Sequence, residues 1–185
     1  MISRKLFWSL TLVLAVLGFT VGSLAGHEEA PLIRGSEAVW KEVFQTPSEM
    51  VRNVDSIVLA RMIEARPGRV AGSAGDELPF EVVEFEVVRG FKGAAAGQRL
   101  FLERAGGSGV SLEFDGGAFE PGAGYLLFLR QQEDGPYFYQ VNHQGRFLVV
   151  DGRLRASAPE DKVAAFFEGR PVRQGLGYVR QTLER

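Results

Sequence analysis

Between residues 56 and 155 every apolar run is cut short by glycine or proline, and this punctuation limits the possible folds more than any other feature. The run at 57–63 is followed by Pro67-Gly68, and the run at 80–89 by Gly90 and Gly93. The runs at 99–104, 125–129 and 146–150 are followed by Gly106-Gly107-Ser108-Gly109, Asp134-Gly135-Pro136 and Asp151-Gly152. The runs are rich in Val, Ile, Leu, Phe and Tyr, which suit a pleated, half-buried backbone. The spacing predicts six to eight short strands, including one at 110–114 and one at 137–141. No long helical stretch separates them, so parallel crossover units are not expected. Asp151-Gly152 is a two-residue hairpin signal. In 80–89, Val83, Phe85 and Val87 fall on one face. Several other strands are apolar on both faces. That pattern predicts a small, strongly coiled antiparallel barrel, partly covered from outside.

The covering elements are short helices at both ends. Ser36 can cap a helix over 36–44 with Val39, Trp40, Val43 and Phe44 on one side. Thr46-Pro47-Ser48-Glu49 predicts a two-turn helix. Thr46 caps it, Pro47 takes its first position and Glu49 completes a capping box. Ala158-Pro159-Glu160-Asp161 opens a third helix, with acids placed to suit the helix dipole. Gly169 and Pro171 stop it. A last helix over 176–183 presents Leu176, Val179 and Leu183.

The N-terminus reads as an address. Arg4 and Lys5 precede an uncharged apolar run over 6–19, and Ser23-Leu24-Ala25 is a small-x-small exit. These are the parts of a secretory signal, with cleavage expected after Ala25. An uncleaved membrane anchor is the alternative, since 6–24 barely reaches spanning length. Cleavage would leave 160 of the 185 residues. It would also remove two positive charges from a chain of net charge −2, leaving −4. The expected destination is the periplasm or the extracellular medium. The chain contains no cysteine. Disulfides, thiolate metal sites and Cys nucleophiles are thereby excluded, so an exported domain of this kind must rely on its apolar core. The expected organisation is a signal at 1–25, a lead-in with a short helix at 26–45, a β-barrel at 46–155 and a helical appendage at 156–185.

A resemblance enters at three segments. They are Asp55-Ser56-Ile57-Val58-Leu59-Ala60-Arg61-Met62-Ile63-Glu64, then Val87-Val88-Arg89-Gly90-Phe91-Lys92-Gly93, then Phe119-Glu120-Pro121-Gly122-Ala123-Gly124-Tyr125-Leu126-Leu127-Phe128-Leu129. In this order they resemble exported bacterial domains related to the netrin module and the tissue inhibitors of metalloproteinases. The resemblance covers about residues 46–155 and implies an OB-like barrel with flanking helices and no catalytic residue. Members that inhibit metalloproteinases chelate zinc through an N-terminal Cys. This chain has none, so that mechanism does not transfer.

Little in the sequence specifies chemistry. Glu84 and Glu86 lie roughly 7 Å apart on one strand face and could act as paired acid and base. They read more simply as a solvated face. His27 and His143 lack metal-ligand spacing, so no metal or other cofactor is expected. Gly106-Gly107-Ser108-Gly109 lacks the Lys-Ser/Thr and helix that a phosphate cradle needs. The acidic balance argues against nucleic acid. The aromatics are more informative. Consecutive Tyr137-Phe138-Tyr139 cannot all face inward, so either Tyr137 and Tyr139 together or Phe138 lies outside; Tyr137 and Tyr139, with Phe119 and Phe114, are the candidate contact residues. The function expected is a non-enzymatic binding module for an extracytoplasmic protein such as a protease. The alternatives are a barrel carrier of a small apolar or sugar ligand and a metal-dependent hydrolase.

Overall fold

A computed structural model describes residues 43–72, 77–106, 117–133, 135–140 and 142–185. The signal expected at 1–25, most of the helix expected over 36–44, His27, the strand expected at 110–114 and Phe114 lie outside the described residues. Val43 and Phe44, its last two residues, are not helical.

The fold is mainly β. Seven strands form one mixed sheet: β1 (Ser56–Ala71), β2 (Leu78–Lys92), β3 (Arg99–Ala105), β4 (Gly124–Gln131), β5 (Tyr137–Gln140), β6 (Arg146–Val150) and β7 (Arg153–Ala156). The order is β1-β2-β3-β5-β4-β6-β7, and β1 also pairs with β4. Five strands therefore form a ring, β1-β2-β3-β5-β4 and back to β1. The ring is not antiparallel throughout, as the sequence led one to expect. β3 and β5 run parallel through Phe101↔Tyr137 and Leu102↔Phe138. Parity requires this: five strands in a ring cannot alternate direction at every seam.

β1 and β2 make a longer hairpin than the punctuation suggests. Pro67 and Gly68 do not end β1; pairing continues through Pro67↔Glu81 to Ala71↔Leu78, with an irregularity between Pro67 and Val70. A missing N–H is tolerated at such an irregularity. Gly90 does not end β2 either, because the strand continues to Lys92. A Cβ on Gly90 would collide with the Ala94 carbonyl oxygen, so the residue serves a close approach of backbone to backbone.

β4 explains the two-sided apolar runs. Tyr125, Leu127 and Leu129 face the ring interior, with Val58, Ala60, Met62, Val83, Phe85, Val87, Leu100 and Leu102. Leu126 and Phe128 face a second core, which includes Ile57, Phe147 and Leu154. Three helices complete that second core: α1 (Pro47–Asn53), α2 (Lys162–Phe167) and α3 (Val172–Leu183). Met50, Val51, Val163, Phe167, Leu176 and Val179 are their buried contributions. The C-terminal helices thus share a core with the sheet.

The caps act as expected, although the acids expected in the first turn of α2 precede it, with Asp161 as its cap. Thr46 Oγ1 accepts from Glu49 N–H at 3.1 Å, and Glu49 Oε2 accepts from Gln45 N–H at 2.9 Å. Asp161 Oδ1 accepts from the N–H groups of Val163 and Ala164, capping α2. Asp151 (φ 49°) and Gly152 (φ 73°) form the β6–β7 turn, the positive-φ pair that suits the strand twist. The outer edge of β7 is covered where Leu154 N–H donates to Arg170 O and Gly169 N–H to Leu154 O. Among the described residues no helix is long and apolar enough to cross a membrane.

Candidate contact face

Alternation along the strands sorts side chains to the inside or outside of the ring. In β3, Leu100 and Leu102 are buried inside, which turns Arg99, Phe101 and Glu103 outward. In β2, Val83, Phe85 and Val87 point in, so Phe80, Val82, Glu84 and Glu86 share the outer face. In β5, Phe138 is buried inside and Tyr137, half-buried, stands outside next to Phe101.

This outer face has two parts. One is a ladder of charges. Arg61 donates to Glu86 at 2.6 Å and Arg99 to Glu84 at 2.9 Å. The hydrogen bond from Arg61, then its charge, holds the Glu86 carboxyl below the usual carboxylate range. Both carboxylates proposed for acid and base work are therefore committed to arginines. Exposed pairs of this kind contribute little stability.

The other part is aromatic. Phe80, Phe101 and Tyr137 lie here, with two guanidinium groups from the β1–β2 hairpin. Arg69 sits 4.9 Å from the Phe80 ring centre and Arg66 sits 5.7 Å from that of Phe101. Arg69 holds both oxygens of Glu103, at 2.9 Å each, and Gln132 Nε2 donates to the same carboxylate at 2.9 Å. The Glu103 side chain is 4% exposed, whereas that of Arg69 is 61% exposed. The β1–β2 hairpin and the β4–β5 connection are thus tied together across β3.

Of the residues anticipated from sequence, Tyr137 lies on this face. Tyr139 belongs to β5 and is in register with Arg130. Phe119 does not join them. It is buried, edge-on to Phe85 at 5.1 Å and to Tyr125 at 5.0 Å. The Arg146 guanidinium lies 3.9 Å from its ring centre and donates to the carbonyls of Gly117 and Ala118. Tyr125 Oη accepts from Glu120 N–H at 2.8 Å. Phe119 and Tyr125 therefore fill the ring interior beside Phe85, where burying so much aromatic surface outweighs exposing it.

Sequence reasoning did not single out Phe80 or Glu103, and it placed Arg66 and Arg69 only within a stretch, 66–78, expected to be a partner-binding barrel loop. Residues 66–71 are instead strand. Their signal was the strand-compatible spacing that Pro67-Gly68 obscured.

The chemical alternatives look different in three dimensions. His143 lies on the 3₁₀ turn His143–Gly145, with Nε2 3.8 Å from Asp161 Oδ2. It belongs to the N-terminus of α2, whereas Glu84 and Glu86 pair with β3 and β1. Among the described residues no cluster of three His, Asp or Glu could hold a metal. A carrier would need an open interior, and the ring is occupied by Val83, Phe85, Leu127 and Leu129, none more than 1% exposed.

The fold and face define a mainly β protein with a mixed aromatic and charged outer surface on its strand ring. No family model, curated protein or solved structure matches the chain.

Proposed function

We propose that this chain is an exported, non-enzymatic binding module built on an OB-type barrel, and that it holds an extracytoplasmic protein on the outer face of β1, β2, β3 and β5. The observation that carries the reading is the grouping of Phe80, Phe101 and Tyr137 beneath Arg66 and Arg69. Aromatic rings and arginines supply most of the energy of protein contacts, because they bury large area with little loss of freedom. The five-strand ring with one parallel seam supports the OB-type assignment. The resemblance to netrin-related exported domains belongs to the same reading, as does the signal segment that would carry the chain across a membrane.

The test is photo-cross-linking in the producing cell. A benzophenone amino acid at position 137 should capture one discrete extracytoplasmic partner, and the same group at exposed position 180 should not. Equal labelling from both positions, or none from position 137, would sink the proposal. Mass measurement of the exported chain should find its N-terminus at Gly26.

A further inference from the structure

Resting on that reading, we infer that the aromatic end of the face recognises an acidic peptide segment, with one carboxylate of the partner received by Arg66. Four of the arginines around β1, β2 and β3 already have carboxylates: Arg61 with Glu86, Arg69 with Glu103, Arg99 with Glu84 and Arg104 with Glu81. Among the described residues Arg66 has neither a hydrogen bond nor an ion pair, and its guanidinium lies 5.7 Å from the Phe101 ring centre. It is exposed, and it stands in register with Val82 on the outer row. A guanidinium beside an aromatic ring still has its planar fork of N–H donors, which matches the two oxygens of a carboxylate. Tyr137 and Phe101 lie beside it as a platform for an apolar or aromatic neighbour of that acid.

The surroundings favour a peptide over a nucleic acid. Glu64 and Glu84 face each other in register on the same side, and Glu86 follows. A strand of nucleic acid would lay successive phosphates along these carboxylates, and the chain as a whole is net negative. An extended peptide needs only one acid, set at Arg66, and can place neutral or basic residues near Glu64.

The experiment is an amide-resolved NMR titration of the full chain with three probes. They are a capped Gly-Asp-Trp-Gly-Gly peptide, its Gly-Asn-Trp-Gly-Gly counterpart and a short oligothymidine. The acidic peptide should shift the amides of Arg66, Val82, Phe101 and Tyr137 and bind about five-fold more tightly than the amide peptide, as expected of one exposed ion pair. Arg66→Gln should remove that difference and leave the thermal midpoint unchanged. Equal binding of the two peptides at this face overturns the acidic preference but leaves the module reading standing. Stronger binding of oligothymidine there overturns it in favour of a nucleic acid. Shifts confined to other surfaces, or no binding of any probe, overturn the acidic-peptide inference. The cross-linking result from position 137 then decides the module reading separately.

Discussion

The side chain of Gln144 makes to Phe44 both hydrogen bonds that a neighbouring strand would make. Its Oε1 accepts from Phe44 N–H at 3.0 Å, and its Nε2 donates to Phe44 C=O at 3.1 Å. Nε2 also donates to Asp161 Oδ2 at 2.9 Å. One buried amide therefore joins the segment before α1, the turn before β6 and the N-terminus of α2. Gln144→Leu keeps the volume but leaves buried polar groups unpaired, which costs about 1–3 kcal/mol. The urea midpoint should fall accordingly, with no change in slope. An unaltered midpoint would mean that water replaces the amide.

Asp161 links this junction to pH. Burial alone would raise its carboxyl, but the Ala164 N–H, the Gln144 amide, the Val163 N–H and the charge of His143 together hold it below the ordinary value of 3.8. A carboxyl depressed in the folded state contributes stability above its unfolded pKa, and that stability is lost as pH falls through the folded value. The urea midpoint should therefore decline below about pH 4. Asp161→Asn, which can still cap the helix, should flatten that decline. An unchanged acid limb in the variant would assign the decline to other carboxylates.

Phe85 packs edge-on against both Phe119 and Tyr125 inside the ring. Phe85→Ala should cost about 3–5 kcal/mol in chemical denaturation. The wild-type chain should not bind an apolar fluorescent probe. The Phe85→Ala variant, if it remains folded, should gain such binding through the space it opens. Stoichiometric binding by the wild-type chain would revive the carrier reading.

Gly90 has no room for a side chain beside the Ala94 carbonyl. Gly90→Ala should destabilise by about 1–3 kcal/mol, as overpacking does. Gly177, where an added Cβ meets nothing within 4 Å, is the control. There the change to Ala should be neutral or stabilising, since Ala favours helix by about 1 kcal/mol.

Much of the fold was legible in the sequence because its signals are local. The Thr46 and Asp161 caps, the Asp151-Gly152 turn and the inward face of Val83, Phe85 and Val87 each depend on residues a few positions apart. Hydrogen-bond geometry and side-chain period settle such features before any distant contact forms. The apolar runs also indicated that some strands are covered on both sides. They pointed to the terminal helices as the cover, but not to which side chains meet, because the second core joins Ile57, Phe128, Phe147 and Phe167 across more than 100 residues of chain.

The contact face depended on long-range pairing. Whether Phe119 or Tyr137 faces solvent follows from which strand each meets, and adjacent aromatics are chemically equivalent until the ring closes. Ring closure also requires the parallel seam between β3 and β5, and it places Phe101 beside Tyr137 and Arg69 over Glu103. By itself, then, the sequence determined the central part of most strands, the Asp151-Gly152 turn, the Thr46 and Asp161 caps and a core independent of cysteine. Only the tertiary structure decided which aromatics are core and which form a surface, because burial is a property of the assembled ring and not of any one segment.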